Sequence, residues 1–455
     1  MYPGIVQNVI FPLHERLKSK PTLEYSRELE GTQWLSTGGL RELQFQRLCK
    51  FLAYAYQEVP YYTKLFDAHG QGPKKIHSLE DLSRIPCLTR EDLRRYFIEL
   101  QPKRKMSGLK RISTGGSTGM PVTVMVDRER AAFTDAVRLR AHRWFGVDMG
   151  VREIALWGSP IELGRQDRVR NIRDWLMNSR LLSAFDLGDA NVAAYTRFIS
   201  RFRPQKMYGY ASAFYLMAQF HKTSRWRPPQ ELKVIFATAE PLFDFQRRLV
   251  EQVFECPVAI EYGARDAGLM ANECPKGGLH IPVEGMLIEI DSPDERGCGE
   301  IIVTNLFSRA MPIIRYRTGD RGVLDPEPCP CGRGLPRLKK VEGRQTDFLV
   351  TPSGRVIHAL AIIYVLREIS KVKEFQVTQE TLDEVVIRVV MERSLSQDER
   401  SSMATRAQMA LGKDMKIVVE EVGAIPRLNS GKFRYVISKV AEERLGKTAI
   451  NATSH

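Results

Sequence analysis

The sequence contains no segment that would hold it in a membrane or direct it out of the cell. No run approaches the roughly 18 apolar residues that a membrane-spanning helix needs. The opening residues, MYPGIVQNVIFPLHERLKSK, lack the basic start, long apolar block and small-residue cleavage site of a secretory signal. We therefore expect a cytoplasmic protein without a membrane span.

Cysteine is scarce, with seven residues among 455. Disulfides are rare in the reducing cytosol, so these thiols are expected to have other roles. Four of them stand alone in the sequence and are expected to be ordinary core or surface thiols: Cys49, Cys87, Cys256 and Cys298. The other three lie in short stretches rich in proline and glycine.

No zinc-finger, RNP or basic-zipper pattern accompanies the net charge of +14. Lysine and arginine are spread along the chain, with denser stretches at Lys103–Lys105 and Arg165–Arg173. Such charge usually forms solvated faces, and it also attracts anionic small molecules such as ATP. We expect no nucleic-acid partner. Nucleic-acid binding stays open as an alternative that charge alone supports.

The length of 455 residues allows two or three domains. Residues 1–100 are predicted to be helical, because LRELQFQRLCKFLAYAYQEV repeats apolar residues every three or four positions before Pro60. Thr89 and Asp92 resemble a capping box at the start of another helix. From about residue 110, β-rich runs such as KVIFATAE alternate with amphipathic runs such as FQRRLVEQVF. This alternation predicts an α/β fold with mixed or parallel sheets flanked by helices.

The pattern changes again after Gly285. MLIEIDSPDERGCGEIIVTNL predicts two strands around a turn of Pro, Asp and Gly. After Gly343, the runs VIRVVMER and KIVVEEV predict strands of a small α+β unit. We expect a large domain over residues 1–343 and a small C-terminal domain over residues 344–455.

A glycine-rich loop is the first motif with chemical meaning. Its residues are Thr114, Gly115, Gly116, Ser117, Thr118 and Gly119. Loops of this composition wrap phosphate oxygens, because no side chain blocks the backbone N–H groups. It is not a P-loop, since no Gly-Lys-Ser/Thr follows and the next run, PVTVMVD, alternates like a strand. A flexible surface turn is the alternative.

Three further motifs lie downstream. In Glu261–Asp266, where a predicted strand ends, Tyr262 could stack on a nucleobase and Asp266 could hold Mg²⁺; a tyrosine at the core edge and a solvated acid are the alternative. Asp320 follows a turn glycine among cations, which suits ribose hydroxyls near a phosphate chain. Lys432 lies in a glycine-containing loop, from which a mobile domain could deliver it to developing negative charge. A solvated surface lysine is the alternative there.

The cysteine-containing loops predict a metal site around residues 274–331. Cys274 and His280 lie six residues apart, and Cys329 and Cys331 supply two more thiols. Three sulfurs and one imidazole make the closed tetrahedral shell of a structural Zn²⁺, with no open position for water. The alternative is three unligated thiols and an ordinary histidine, because C-x-C is a less regular spacing than paired C-x-x-C.

The order of the motifs resembles that of the adenylate-forming superfamily of acyl-CoA ligases and related enzymes. Within it, the chain is similar to a short bacterial branch that contains phenylacetate–CoA ligases, related coenzyme synthetases and capsule-associated, CapK-like proteins. Shared features include the VPYY of Val59–Tyr62, the stretch LEDLSRIPCLTREDLR, Tyr208–Ala213 and Ala237–Leu242. The resemblance covers nearly the whole chain.

The resemblance implies roles for individual residues. Thr114–Gly119 would hold the β- and γ-phosphates of ATP, and Lys432 would approach the carboxylate and the α-phosphate as the catalytic residue. Asp266 would bind Mg²⁺, and Asp320 would bind the ribose hydroxyls beside Arg344. The adenine pocket would be formed by Ala239, Glu240, Pro241, Glu261, Tyr262 and Gly263.

The sequence departs from the usual family pattern at several positions. Gly115 stands where Ser is frequent, and Met120 stands where Lys is usual. Arg265 and Asp266 replace Thr or Ser and Glu, and Thr346 stands where many members have Asp. Met120 removes one cation from the phosphate loop, while Arg265 adds one nearby. These changes are compatible with an unusual substrate or an unusual second half-reaction.

The reaction implied by the resemblance has two steps. A carboxylate attacks the α-phosphate of ATP to give acyl-AMP and pyrophosphate. The small domain then rotates about a hinge at Thr346 and Asp347, so that CoA takes the acyl group as a thioester. An amine acceptor is one alternative to CoA. A catalytically altered ATP-binding protein of polysaccharide biosynthesis is another.

The acyl pocket implied by the resemblance is aromatic and apolar. It would be formed by Trp157, Tyr208, Tyr210, Ser212, Phe214 and Ala264. Such a lining suits an aryl or arylacetic acid by analogy with the family. We expect ATP, Mg²⁺, a structural Zn²⁺ and CoA as cofactors and co-substrates, and a monomer or homodimer.

Overall fold

The structure is a computed structural model. It describes residues 2–441 except 71, 114–121, 158–166, 185–186, 188, 222–224, 241, 343–347, 368, 370–371, 392 and 426–435. In this part of the chain, no helix has both the length and the apolar character that crossing a membrane requires.

The N-terminal region is helical, as predicted. Its α-helices are α1 (Pro3–Ile5), α2 (Phe11–Leu17), α3 (Thr22–Thr32), α4 (Thr37–Glu58), α5 (Pro60–His69) and α6 (Arg90–Arg95), with a π-helix at Val6–Ile10 and 3₁₀-helices at Pro73–Lys75 and Glu80–Arg84. Pro60 follows the end of α4 and starts α5, since proline at the first helical position needs no N–H partner. The predicted capping box is confirmed: the Asp92 amide donates to Thr89 Oγ1, and the Thr89 amide donates to the Asp92 carboxylate.

Helices and strands alternate through the rest of the chain. The helices are α7 (Arg128–Trp144), α8 (Asp167–Leu176), α9 (Asp189–Phe202), α10 (Ala211–His221), α11 (Asp244–Phe254), α12 (Ala359–Arg367) and α13 (Gln397–Leu411). The first strands are β1 (Lys110–Ser113), β2 (Thr123–Val126), β3 (Glu153–Leu156), β4 (Ser179–Leu182), β5 (Lys206–Tyr210), β6 (Val234–Thr238), β7 (Val258–Ala264), β8 (Gly268–Glu273), β9 (Leu279–His280) and β10 (Met286–Asp291). The later strands are β11 (Gly299–Asn305), β12 (Ile313–Asp325), β13 (Arg337–Glu342), β14 (Phe348–Val350), β15 (Val356–His358), β16 (Val372–Gln379), β17 (Glu384–Met391), β18 (Lys416–Glu421) and β19 (Val436–Ser438).

One eleven-stranded sheet organises residues 153–342, in the order β10-β11-β12-β13-β9-β8-β7-β6-β5-β3-β4. Strands β4, β3, β5, β6 and β7 pair in parallel. The intervening helices supply the crossovers that parallel pairing requires. From β7 to β10 the neighbours are antiparallel, and β10 and β11 form the predicted hairpin, with Met286 opposite Asn305. The predicted α/β class with a mixed or parallel sheet is confirmed.

The parallel half of this sheet is covered on both faces. Because the side chains of a strand point alternately to its two faces, successive residues of β5 and of β6 pack in different hydrophobic clusters. Met207 and Ile235 pack with the cluster that includes residues of α10 and α11. Tyr208 and Phe236 belong to another cluster, and His142 of α7 stacks on Phe236 with ring centroids 4.0 Å apart. Helix α7 therefore lies over the face that carries Tyr208.

The C-terminal strands form sheets of their own. A hairpin of β14 and β15 precedes a four-stranded sheet in the order β18-β17-β16-β19. The two predicted strands of this unit, β17 and β18, pair in parallel. One hydrophobic cluster, which runs from Leu349 to Val436, includes residues of α12, α13 and these sheets. The predicted domain boundary falls at 343–347, outside the described residues, so the division into two domains stays a prediction.

Candidate active site and metal centre

Two of the predicted nucleotide motifs meet through a hydrogen bond. The Tyr262 hydroxyl, on β7, donates to Asp320 Oδ2, on β12, at 3.0 Å, although the residues are 58 positions apart. Gly319 has a φ of 80°, which glycine adopts at little cost, and the Asp320 amide donates to Thr318 Oγ1 at 3.1 Å. Both Tyr262 and Asp320 are half-buried. The structure thus places the predicted adenine and ribose residues side by side.

Asp266, the predicted magnesium ligand, is buried with 2% exposure. The Tyr316 hydroxyl donates to its Oδ2 at 2.6 Å, and the Ala267 amide donates to its Oδ1 at 3.1 Å. Arg90 Nη2 lies 3.9 Å from Oδ2. Burial, and after it the charge of Asp266, raises the pKa of Tyr316, which keeps that hydroxyl a donor at neutral pH. Each carboxylate oxygen retains acceptor capacity beyond these bonds.

The segment after β6 has an uncommon backbone conformation. Ala239 has a φ of 66°, in the left-handed region, which costs an L-residue about 1–2 kcal/mol and is often found at functional sites. Ala239 is exposed and Glu240 is half-buried. Thr238 Oγ1 donates to the Glu261 carbonyl at 2.8 Å, which ties β6 to β7. These residues lie at the carboxyl ends of neighbouring parallel strands, where open α/β sheets bind ligands.

Glu261 is held by an arginine that the motifs do not include. Arg138, on α7, donates from Nε to Oε2 at 2.9 Å and from Nη2 to Oε1 at 3.0 Å. The Tyr208 hydroxyl donates to the same Oε1 at 2.7 Å. Burial, followed by the charge of Glu261, raises the pKa of Tyr208 far above its usual range, so this hydroxyl also stays protonated. Paired N–H···O bonds of this kind fix both partners in one geometry.

Three of the predicted acyl-pocket residues come together. The Trp157 ring stacks on Tyr210 with centroids 4.3 Å apart, and it lies 5.9 Å from the Tyr208 ring. Ala264 ends β7 and is half-buried. Phe214 is buried with 1% exposure and packs edge-on against Phe254, so the structure places it in the hydrophobic core. Ser212 lies in the first turn of α10, with its side chain outside the described part.

Several predicted site residues lie outside the described residues: Thr114–Gly119, Pro241, Arg344, Thr346, Asp347 and Lys432. The strands on either side of the glycine-rich loop are described. Ser113 pairs with Thr123 in an antiparallel ladder of β1 and β2, so the run PVTVMVD does contain a strand, as predicted. The roles of the loop, the hinge and Lys432 stay predictions.

The predicted zinc ligands form one cluster. The ligand atoms of Cys274, His280, Cys329 and Cys331 all lie within 4.8 Å of one another. Cys274 Sγ is 3.7 Å from Cys329 Sγ, and His280 Nε2 is 3.2 Å from Cys331 Sγ. In a tetrahedral zinc shell with Zn–S bonds of about 2.3 Å, two sulfurs lie about 3.8 Å apart. The donor set therefore has the chemistry and the size of a structural zinc site.

The surroundings of the cluster also fit a metal ligand set. His280 Nδ1 lies 2.9 Å from the Leu335 carbonyl, an outer bond that would fix the tautomer with Nε2 free for a metal. Burial lowers the pKa of His280 to about 4, which keeps the imidazole neutral, as metal binding requires. A Cβ at position 278 would lie 2.6 Å from Cys329 Sγ, so any residue larger than Gly278 would push against this sulfur.

Two residues of the site were missed by the sequence motifs, Arg138 and Tyr316. Arg138 is one of five arginines in RERAAFTDAVRLRAHRW, and nothing in that run distinguishes it from the others. Tyr316 lies inside the motif around Asp320, but its role depends on a partner 50 positions away. The available signal was that a buried tyrosine usually needs a partner for its hydroxyl.

Comparison with known proteins finds relatives that match most of the chain. Residues 349–439 match the family of the CapK C-terminal domain. The chain is 23% identical over 448 residues to Protein CapK of Staphylococcus aureus, which covers 96% of this chain and 98% of that protein. It is 27% identical over 465 residues to a phenylacetate–coenzyme A ligase of Thermus thermophilus, which covers 91% and 99%.

Among solved structures, 2-hydroxyisobutyryl-CoA ligase in complex with 2-HIB-AMP and CoA superposes with a TM-score of 0.60 and 20% identity, covering 92% of this chain and 94% of that one. Similarity at this level shows the fold, which is that of the adenylate-forming ligases. The resemblance seen in the motifs is confirmed: the chain is similar to CapK and to phenylacetate–CoA ligases over most of its length, and it has the fold of the adenylate-forming ligases.

Proposed function

We propose that the protein activates an aryl or arylacetic acid with ATP, giving acyl-AMP and pyrophosphate, and then transfers the acyl group to CoA as a thioester. The general class, an ATP-dependent, AMP-forming acid–thiol ligase, is supported by the relatives. They include phenylacetate–CoA ligases of Thermus thermophilus and Escherichia coli that match 91% and 88% of the chain. The particular acid is the finer part of the proposal.

The observation that carries the proposal is the hydrogen bond between Tyr262 and Asp320. It brings a ring that can stack on a base next to a carboxylate that can accept from two ribose hydroxyls. Both lie beside the carboxyl ends of the parallel strands. In this arrangement a nucleoside would have its base on Tyr262 and its sugar on Asp320, and its phosphates would extend toward the glycine-rich loop, Thr114–Gly119.

Adenylation is mainly a task of positioning and charge stabilisation. The proposed catalytic residue is Lys432, which offsets the charge that develops on the α-phosphate as the carboxylate attacks. Arg344 would lie near the ribose, and Thr346 and Asp347 would let residues 344–455 rotate as a unit between the two half-reactions. Many enzymes complete their active site when one domain closes on another about a hinge.

Two metal ions belong to the proposal. Asp266 would be a protein ligand of Mg²⁺, because a carboxylate oxygen suits this ion and its remaining ligands are commonly phosphates and water. When bound, Mg²⁺ would supply charge neutralisation on the phosphates. Cys274, His280, Cys329 and Cys331 would hold a Zn²⁺ that stabilises the fold and takes no part in the reaction, because the four protein ligands close its shell.

The proposal is tested by incubating the protein with ATP, Mg²⁺, CoA and a panel of aryl and arylacetic acids, followed by mass spectrometry. The expected products are AMP, pyrophosphate and one acyl-CoA. Amide formation with an added amine, but no thioester with CoA, would favour the amine acceptor. ATP binding without pyrophosphate release from any acid would favour an altered ATP-binding protein. A salt-dependent shift on DNA or RNA would instead favour a nucleic-acid-binding protein.

A further inference from the structure

We propose that Arg138, Glu261 and Tyr208 form a polar recognition site in the acyl pocket, so that the side chain of Glu261, which the resemblance assigns to the adenine pocket, faces the acid instead. It would select a carboxylic acid that carries an uncharged oxygen group, a hydroxyl or a carbonyl, at the end remote from the carboxylate that is activated. This inference rests on the proposed function, because it assigns the substrate class of the same site.

The three residues meet above one face of the large sheet. Tyr208 alternates with Met207 in β5, and Glu261 alternates with Tyr262 in β7, so the side chains of each pair point to opposite faces. The Tyr208 hydroxyl reaches Glu261 across β6 at 2.7 Å. Arg138 reaches both from α7, since its Cζ also lies 5.5 Å from the centroid of the Tyr208 ring. The trio therefore lies between α7 and the ends of the parallel strands.

The trio is continuous with the aromatic part of the predicted acyl pocket. Tyr208 belongs to both groups, because its hydroxyl bonds Glu261 and its ring lies 5.9 Å from Trp157. Trp157 in turn stacks on Tyr210. An acid that fills the space beside these rings would also meet the polar trio. The proposed pocket would therefore combine the aromatic wall that the sequence predicts with one polar wall that the sequence did not reveal.

Arg138 has N–H donors that the hydrogen bonds within the trio do not use. Glu261 accepts three hydrogen bonds, and two nitrogens of Arg138 are used in them. Among the described residues, the third nitrogen, Nη1, has an ion-pair contact at 3.7 Å with Asp135 Oδ1, which is longer than a hydrogen bond. The Arg138 side chain is 32% exposed, so solvent can reach it. A bound acid that displaces this solvent must supply an acceptor or leave buried N–H groups unpaired.

The charges of the trio favour a neutral group on the acid. Glu261 is 4% exposed and balances the charge of Arg138 in a bidentate pair. A second carboxylate on the substrate would therefore meet no net positive charge, and it would lie close to Glu261. A hydroxyl or carbonyl oxygen accepts from Arg138 without that repulsion. With the flanking rings, the site fits a hydroxyl- or carbonyl-substituted aryl acid.

The test uses matched pairs of acids that differ by one hydroxyl group, such as phenylacetate and hydroxyphenylacetate, benzoate and hydroxybenzoate, and a straight-chain acid and its terminal hydroxy derivative. Acid-dependent pyrophosphate release gives kcat/KM for each acid. The wild type is expected to prefer the hydroxylated member of at least one pair by about tenfold or more, because a site built to hydrogen-bond a substrate group rejects the analogue without it.

Three variants test whether these residues cause the preference for the hydroxylated acid. Arg138→Leu with Glu261→Leu removes both charges together, so no buried charge is left unpaired. The ratio of kcat/KM for the hydroxylated acid to kcat/KM for the unsubstituted acid should fall to about one. Tyr208→Phe keeps the ring beside Trp157 and should lower this ratio in part. It tests the same site if the double variant does not fold. Glu129→Gln, on α7 in an exposed ion pair with Arg309, is the matched control and should keep the wild-type ratio.

The outcomes separate this inference from the proposed function. If acids are adenylated but the unsubstituted members react as well or better, the inference is overturned and the function stands. If the double variant and Tyr208→Phe lower both members of a pair equally, the trio is structural and the inference is again overturned. If no acid releases pyrophosphate, both the function and the inference are wrong.

Discussion

The hydroxyl of Tyr262 donates to the carboxylate of Asp320 at 3.0 Å and so joins two motifs that lie 58 positions apart in the chain. One residue is on a strand at the junction of the parallel and antiparallel halves of the sheet, and the other is on the long antiparallel strand β12. The contact leaves both side chains half-buried. They are therefore accessible to a nucleoside while their relative position is fixed.

Replacing Asp320 by alanine should weaken ATP binding strongly. A charge-assisted hydrogen bond to a hydroxyl contributes about 1.5–3 kcal/mol, which corresponds to a roughly ten- to hundredfold rise in Kd. Isothermal titration calorimetry with ATP measures the change. Glu295→Ala, an exposed acid in the turn between β10 and β11, is the control and should bind ATP like the wild type. Normal ATP binding by the Asp320 variant would mean that the ribose site is elsewhere.

The Cys₃His cluster should carry one zinc ion per chain. Elemental analysis of protein purified without added metal is expected to show a stoichiometry near one, because the four donor atoms have the spacing of a closed zinc shell. Cys331→Ala should lose the metal and lower Tm before it alters ATP binding, since a structural metal contributes folding free energy. Metal-free protein, or zinc that persists in a His280→Ala variant, would contradict the assignment.

Cys49→Ser provides the matched comparison for the zinc prediction. Cys49 is a half-buried free thiol on α4 that does not belong to the Cys₃His cluster. This variant should keep a full complement of zinc. If it lost zinc to the same extent as Cys331→Ala, zinc loss would report general unfolding and not the removal of a ligand.

We predict that Lys432 affects the rate of acyl-AMP formation more than the affinity for ATP. If its ammonium meets the α-phosphate only when the small domain closes, the contact is stronger in the transition state than in the bound ground state. Lys432→Ala should then bind ATP nearly normally, while acyl-AMP formation falls about 10²-fold or more. Rapid-quench measurement of acyl-AMP, with ATP affinity determined separately, distinguishes the two effects.

The second half-reaction provides the control for Lys432. Chemically made acyl-AMP is supplied with CoA, and thioester formation by the Lys432→Ala variant should be affected less than adenylation. Lys439→Ala, which breaks an exposed ion pair with Glu380, should leave both steps at wild-type rates. Equal loss of both half-reactions in the Lys432 variant would argue against domain rotation.

A stability prediction concerns Arg140 and Glu284, an ion pair with 1% and 0% exposure. Arg140 also donates to the Leu29 carbonyl, and Thr32 donates to Glu284, so the pair joins α3, α7 and the segment before β10. Glu284→Ala leaves a buried charge without its partner and should cost about 3–5 kcal/mol of unfolding free energy. Urea denaturation measures the loss.

The double variant Arg140→Met with Glu284→Leu tests the physical reason for that loss. It removes both charges and fills part of the space, so it should be less destabilised than Glu284→Ala alone. A double variant that is less stable than the single variant would show that the ion pair contributes net stability beyond satisfying its own charges.

The fold was predictable where local pattern determines it. The helical N-terminal region, the capping box at Thr89, the β10–β11 hairpin and the strands β17 and β18 follow from periodicity and turn residues, and all are present. The short stretch after Ser78 forms a 3₁₀-helix at Glu80–Arg84, and Asp81 accepts from the amides of His77 and Ser78 at its start.

The candidate site was predictable only where the residue types alone indicate what they bind. The Cys₃His set has a distinctive donor composition, so its assembly was foreseen even though 51 positions separate His280 from Cys331. The pairing of Arg138 with Glu261 depends on how α7 crosses the sheet, which no local pattern encodes. Phe214, which the resemblance assigns to the acyl pocket, is buried with 1% exposure, and its place in the pocket stays a prediction.

The measurement that tests the account most directly is acid-dependent exchange of labelled pyrophosphate into ATP in the absence of CoA. Exchange requires reversible formation of acyl-AMP, and it needs no knowledge of the final acceptor. The account predicts exchange that depends on Mg²⁺ and on one aryl or arylacetic acid, and that falls about 10²-fold or more in Lys432→Ala. ATP binding without exchange for any acid in the panel would contradict the account and identify the site as one that binds the nucleotide without activating a carboxylate.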